Sequence, residues 1–335
     1  MNGAMFTGIG LTLAAGAMSG NCMLPMKYAR RWRPENVWFV FSIVSLLVLP
    51  WALAFALVNQ PIEVYRRLPM SAMMAPLFFG AGWGIAQILF GVSIRRLGMS
   101  VGYAIIVGLG AVLGTLVPLF VGQRTLVSNA ELVRILAGVV VMVLGIALTA
   151  WGGQVKERVR APEIADAAQR RYVVAVLLAL LCGVLAPMLN YAFAFGQNLG
   201  GSSAWDWSCR GRVRVWPVAL LGGLVPNIGY SVYLLQRNST WAAFAENCPD
   251  VLWPALMGVL WMGAFVLYGM SAVYLGVLGA SIGWGLFQIF MIMTATISGL
   301  LTSEWIGAPR KAMVLLGVGM AGLVGATLLL SSKGQ

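Results

Sequence analysis

The amino-acid sequence predicts an all-α integral membrane protein, with ten transmembrane helices in two inverted five-helix repeats. Three observations carry this. Ten apolar stretches run along the chain with almost no charge inside them, each about 20 residues or more, the length a helix needs to cross a hydrocarbon core of roughly 30 Å. Only 10% of the residues are charged and 60% are hydrophobic, far from the roughly one-quarter charged composition of a soluble domain. A charged segment, 152–171, separates five stretches from five. An odd number per half inserts the halves upside down relative to each other, a recurring transporter layout.

The first span, 5–26, begins almost at once with no Lys or Arg ahead of it, so it is expected to stay in the membrane rather than be cleaved as a signal peptide. The second, 36–58, follows the basic loop Lys27-Tyr28-Ala29-Arg30-Arg31-Trp32-Arg33. The third and fourth, 70–93 and 100–121, are joined by the tight turn Arg95-Arg96-Leu97-Gly98-Met99, and the fifth, 131–151, closes a first repeat of 1–151. The segment 152–171 reads as a charged cytoplasmic linker. The second repeat, 172–335, holds spans 172–195, 214–236, 252–274, 277–302 and 309–331. Little more than Leu275-Gly276 separates the eighth and ninth. Connections this short make neighbouring helices antiparallel.

Charge sets the orientation. Fourteen of the 22 Lys and Arg fall after odd-numbered spans and eight on the other side. Basic residues collect in cytoplasmic loops, so both termini are expected on the periplasmic side of a bacterial inner membrane. The same rule explains the net charge of +12 without a nucleic-acid partner.

The halves match beyond hydropathy. Trp83, Gly91, Ser93, Leu97 and Gly98 become Trp261, Gly269, Ser271, Leu275 and Gly276 at a constant offset of 178. Ser100-Val101-Gly102-Tyr103 mirrors Ser281-Ile282-Gly283-Trp284, and Pro25-Met26 mirrors Pro187-Met188. Ordered matches of this kind are the mark of an internal repeat.

The chemistry on offer is that of binding, not catalysis. There is no His, and the four cysteines have no metal spacing; no cofactor or metal is expected. Cys22 and Cys182 lie in spans, while Cys209 and Cys248 fall in loops on opposite sides and should not pair. All ten carboxylates lie in loops or at helix ends, so no pair is placed for acid–base work at mid-membrane. The spans hold neutral polar groups instead, which are costly in hydrocarbon unless partnered or facing water. Amides exchange hydrogen bonds with hydroxyls and indole faces cover the C–H face of a sugar ring. Asn21, Trp83, Gln87, Asn190, Trp261, Tyr268, Trp284 and Gln288 are therefore the candidate substrate-binding residues. Trp83 with Gln87 and Trp284 with Gln288 stand four apart, on one helix face each. A single membrane amide can equally staple two helices. Trp38, Trp51, Trp151, Trp253 and Trp305 sit near span ends, as interfacial anchors do. Gly80, Gly82, Gly84 and Gly91, with Gly102, Gly108, Gly110 and Gly114, read as sites of close helix approach.

Pro25 with its basic loop, Leu49-Pro50-Trp51, Phe79-Gly80-Ala81-Gly82-Trp83-Gly84-Ile85, Arg96-Leu97-Gly98-Met99-Ser100, Gly114-Thr115-Leu116, Gly152-Gly153-Gln154-Val155-Lys156-Glu157-Arg158 and Glu304-Trp305 together resemble the L-rhamnose–proton symporter family of the drug/metabolite transporter superfamily. The resemblance spans nearly the whole chain. It is strongest over 70–118 and 150–158 and thinner after about 197. It implies a central cavity between inverted repeats, lined by spans 1, 3, 4, 6, 8 and 9, and import of a deoxy sugar with protons. The chain departs from that pattern at the turn into the ninth span, where Ala272 to Ser281 offers no group that titrates near neutral pH. Glu131 and Glu304 are then the coupling candidates. The expected function is a secondary transporter in the lipid bilayer that imports a monosaccharide, L-rhamnose first. Export of an amphipathic metabolite or drug, or uncoupled sugar passage, stands as the alternative, and no loop is long enough to fold as the partner domain a sensor would need.

Overall fold

The computed structural model describes residues 3–58, 60–160, 169–196, 214–246 and 248–332. Among them there is no strand. Ten helices are long and apolar enough to cross a membrane: α1 (Gly3–Tyr28), α2 (Pro34–Leu57), α3 (Met70–Leu97), α4 (Val101–Leu126), α5 (Asn129–Glu157), α6 (Tyr172–Phe195), α7 (Val215–Asn238), α8 (Cys248–Tyr274), α9 (Ile282–Leu301) and α10 (Arg310–Ser331). Each overlaps an expected span, with ends within six residues; α9 starts at Ile282 rather than 277, because a 3-10 turn at Gly276–Leu278 lengthens the connection from α8. The last regular turns of the α5 helix run on to Arg160, so the first part of the charged segment is helical. Residues 161–168 of that segment, and the stretch 197–213 with Cys209, lie outside the described residues.

Two spans are broken at the matched Pro-Met pairs of the sequence. Regular α-helix in α1 stops at Asn21 and resumes as a 3-10 turn, Leu24–Tyr28. In α6 the helix stops at Leu185 and restarts at Met188. Proline lacks the N–H that a helix interior needs and its ring crowds the preceding turn, and these breaks hold Pro25 and Pro187. Wide π-turns accompany Pro50 in α2 and Pro118 in α4, at Val44–Val48 and Leu119–Gln123.

The two halves of the chain interleave. α1 packs on α8 and α9, and α6 on α3 and α4; α2 packs on α8, and α7 on α3; α2 also meets α7, and α5 meets α10. Exchanging each helix for its counterpart five places away maps this scheme onto itself, which fits the expected inverted repeats. Loop contacts sort the same way. On the face that carries both described chain ends, the terminal face, the Tyr65 hydroxyl donates to Arg214 O at 3.0 Å and Ser281 Oγ donates to Gln123 Oε1 at 2.7 Å. On the opposite, basic face, Lys27 pairs with Glu304, Arg31 N donates to Asp250 Oδ2 at 3.0 Å, and Lys156 Nζ lies 4.3 Å from the ring centre of Trp305. Trp38, near a span end, also turns inward and donates to Asn227 Oδ1 of α7 at 3.0 Å.

In lipid, helices gain no hydrophobic driving force from each other, so they rely on close backbone approach. The α3–α7 pair is the tightest example. A Cβ at Gly80 would lie 1.7 Å from Ala219 O, and one at Gly222 would lie 2.2 Å from Leu77 O. The α5–α10 pair is built alike, with a Cβ at Gly319 falling 2.7 Å from Thr149 N. Gly91, by contrast, faces open space, with nothing within 4 Å. Overpacking a close contact costs about 1–3 kcal/mol, and more where backbone must move. Gly80→Ala and Gly222→Ala should therefore lower the thermal unfolding midpoint of the detergent-solubilised protein, while Gly91→Ala leaves it unchanged.

Candidate functional site

Five of the eight expected binding residues meet in one layer between the two halves. Trp83 of α3 and Trp261 of α8 stack with ring centres 5.3 Å apart and planes at 28°. Trp261 touches Phe265 at 4.5 Å, Phe265 touches Phe287 at 5.6 Å, and Phe287 lies 5.3 Å from Tyr268 and 5.7 Å from Trp284. The spacing explains the stripe. Residues 261, 265 and 268 share one face of α8, and 284 and 287 one face of α9. Phe265 and Phe287 escaped the sequence reading although they sit at helical spacing from residues it selected.

Asn190 knots this layer on its terminal side. Its Nδ2 donates to Gly114 O at 3.0 Å and to Ala280 O at 2.9 Å, and its Oδ1 accepts the Tyr268 hydroxyl at 2.6 Å. One amide thus ties α6 to α4, to α8 and to the turn before α9. Trp284 Nε1 donates to Gly110 O at 3.1 Å, and it has room only because residue 114 is glycine: a Cβ there would lie 2.1 Å from that nitrogen. Both Asn190 Nδ2 protons are spent on protein.

The glutamines differ. Neither Gln87 nor Gln288 is hydrogen-bonded among the described residues, and their amide atoms are not fully buried. Each lies one helical turn beyond a tryptophan of the layer, toward the basic face. Asn21, at the break in α1, donates Nδ2 to Ala17 O at 2.7 Å and leaves Oδ1 buried without a partner. It stands apart from the aromatic contacts. A buried pair that the sequence reading missed, Thr12 with Ser271, joins α1 to α8.

The carboxylates remain at the ends. Glu131 closes a capping box: Ser128 N donates to Glu131 Oε2 at 3.1 Å and Glu131 N to Ser128 Oγ at 3.2 Å. Glu131 also lines a cavity of about 360 Å³ on the terminal face, with Arg134, Tyr274, Leu278, Ile282 and Leu286. This cavity is separate from the aromatic layer. Glu304 pairs with Lys27, and that hydrogen bond, with the Lys27 and Lys156 charges, holds its carboxyl below the usual range despite some burial. Glu35 is buried at the start of α2 and accepts from Asn238 Nδ2 at 2.9 Å and Thr240 Oγ1 at 3.3 Å. No group of three or more potential metal ligands occurs among the described residues.

Ten helices long and apolar enough to cross a membrane, closely packed across two interleaved halves around an uncharged polar and aromatic layer, define a multi-pass membrane protein. The chain belongs to the L-rhamnose–proton symporter family: the family described as L-rhamnose-proton symport protein (RhaT) matches residues 1–331. Among curated relatives, an L-rhamnose-proton symporter of Klebsiella pneumoniae is 28% identical over 330 residues, 95% of each chain. Those of Yersinia pestis and Yersinia pseudotuberculosis are 26% identical over the same 95%. A solved crystal structure with 14% identity superposes at a TM-score of 0.60 over 96% of this chain and 95% of that one, a likeness of fold.

Two outcomes follow from the geometry. Asn190→Leu takes the amide donor from the Gly114 and Ala280 carbonyls and the Oδ1 acceptor from the Tyr268 hydroxyl, which still reaches Ala280 O at 3.4 Å; a group left unsatisfied costs about 1–3 kcal/mol. Tyr268→Phe should cost about 1 kcal/mol, and the double variant less than the sum because the two residues share one bond; denaturation of the four proteins in detergent measures this. The lowered Glu304 pKa gives the second. Its contribution is present above the ordinary carboxylate range and is lost only as pH falls through the lowered value. The stability gap between wild type and Lys27→Gln, small because the pair is half exposed, should stay flat from about pH 8 to 5 and shrink only below about pH 4.

Proposed function

We propose that this protein imports a monosaccharide, L-rhamnose first, in symport with protons, by alternating exposure of a cavity between its two repeats. The family supports the sugar and the proton. The observation that carries the site is the contrast between amides: Asn190 is spent on protein, whereas Gln87 and Gln288 keep their hydrogen-bonding groups free beside indoles. Hydroxyls exchange hydrogen bonds with neutral amides, and indole faces cover C–H faces. In this reading Gln87 and Gln288 bind hydroxyls, Trp83, Trp261 and Trp284 supply faces, and Asn190 with Tyr268 seals the terminal side. Asn21 completes the polar lining when α1 moves.

The terminal face is periplasmic and the basic face cytoplasmic, in a bacterial inner membrane, on the positive-inside rule. Of the two coupling candidates, Glu131 is the better placed to take a proton from outside, since it lines the terminal-face cavity. Glu304 is held ionised by Lys27.

The test is uptake of labelled L-rhamnose into proteoliposomes with and without an inwardly directed proton gradient. Accumulation above equilibrium only with the gradient is expected. Uptake that merely equilibrates would remove the proton from this reading, and no uptake in either condition would remove the sugar. Gln87→Ala should raise the half-saturation concentration by about tenfold, the weight of one well-made hydrogen bond, at unchanged protein in the membrane.

A further inference from the structure

We infer that Trp83 and Trp261 form a two-jawed clamp, self-stacked here, that parts to hold a pyranose ring between its indole faces. The inference rests on the sugar reading and adds how the ring is gripped. Four observations lead to it. First, the two residues occupy matched positions in the two repeats, at the offset of 178, on helices that exchange under the repeat scheme. A contact between matched residues of inverted repeats lies at their shared interface, where alternating access moves the halves against each other. Second, the rings stack nearly face to face, at 5.3 Å and 28°, so each indole offers its partner the flat apolar surface that a sugar's C–H face would otherwise take.

Third, each jaw is backed on its own side. The Trp83 ring rests on α7 at Gly223, where a Cβ would lie 2.9 Å from its Cε3. Trp261 is backed by Phe265 at 4.5 Å and Phe41 at 6.2 Å. Each seat lies on the jaw's own helix or on a helix packed against it, α7 on α3 and α2 on α8, so separation of α3 from α8 would part the two faces. Fourth, the clamp is a little less buried than the knot behind it. Trp83 and Trp261 keep 6% and 8% exposure, while Tyr268 and Asn190 behind them keep 0% and 1%. The free Gln87 stands one turn from the first jaw, placed for the ring's hydroxyls once its faces are covered.

The clamp fits an uncharged pyranose with apolar C–H patches on both faces, since neither jaw carries a charge to meet an acidic or amino sugar. The test is the half-saturation concentration for labelled L-rhamnose uptake into proteoliposomes carrying single replacements, at matched protein in the membrane. Trp83→Leu and Trp261→Leu should each raise it by about tenfold, the worth of one aromatic face, and Trp83→Phe or Trp261→Phe much less, because a ring is kept. Half-saturation unchanged in both Leu variants would overturn the clamp, and so would Phe variants as impaired as the Leu ones. Failure of wild-type uptake would count against the sugar itself, so the two failures are told apart.

Discussion

The approach of α3 to α7 is the constraint on which the rest depends. At Gly80 and Gly222 each helix sets its bare backbone against a carbonyl of the other. That distance brings Gly223 under the Trp83 ring and fixes how far Trp83 reaches toward Trp261. The contact joins a helix of the first half to one of the second, as do those of α1 with α8 and α9 and of α6 with α3 and α4. The site is thus the place where two interleaved halves leave a layer of side chains between their backbones. Water is excluded on every lipid side, so polar groups in that layer must either be spent on protein or kept for a solute.

Much of this was legible in the sequence because the bilayer imposes a simple grammar. Length and apolarity placed all ten spans, and the matched offset picked out Trp83 and Trp261 before any contact between them was known. The prolines matched at 25 and 187 fall where α1 and α6 break. Gly91 shows the limit of that grammar. It has the same composition signal as Gly80, but only the neighbour across the interface decides whether a glycine is needed, and Gly91 has none.

The division of labour among the amides was not legible. Asn190 binds backbone carbonyls 76 and 90 residues away, and carbonyls carry no sequence signal. Gln288 looks the same in a string of letters and has no such partner. The carboxylates teach the converse lesson. Ser128-Asn129-Ala130-Glu131 is a capping box in plain view, and its local hydrogen bonds account for Glu131 whatever else it does. The pairing of Lys27 with Glu304 spans 277 positions and needed the fold.

The distribution of charge has an electrical consequence. Among the described residues, every Asp, Glu, Lys and Arg of the spans lies near an end, with none at mid-membrane. Moving one elementary charge across 100 mV is worth about 2.3 kcal/mol. A rocking motion of these helices carries almost no such charge through the field. The ionised side chains of the helices thus contribute almost nothing to the charge moved, and the membrane potential acts on such a cycle chiefly through the ion that travels with the sugar.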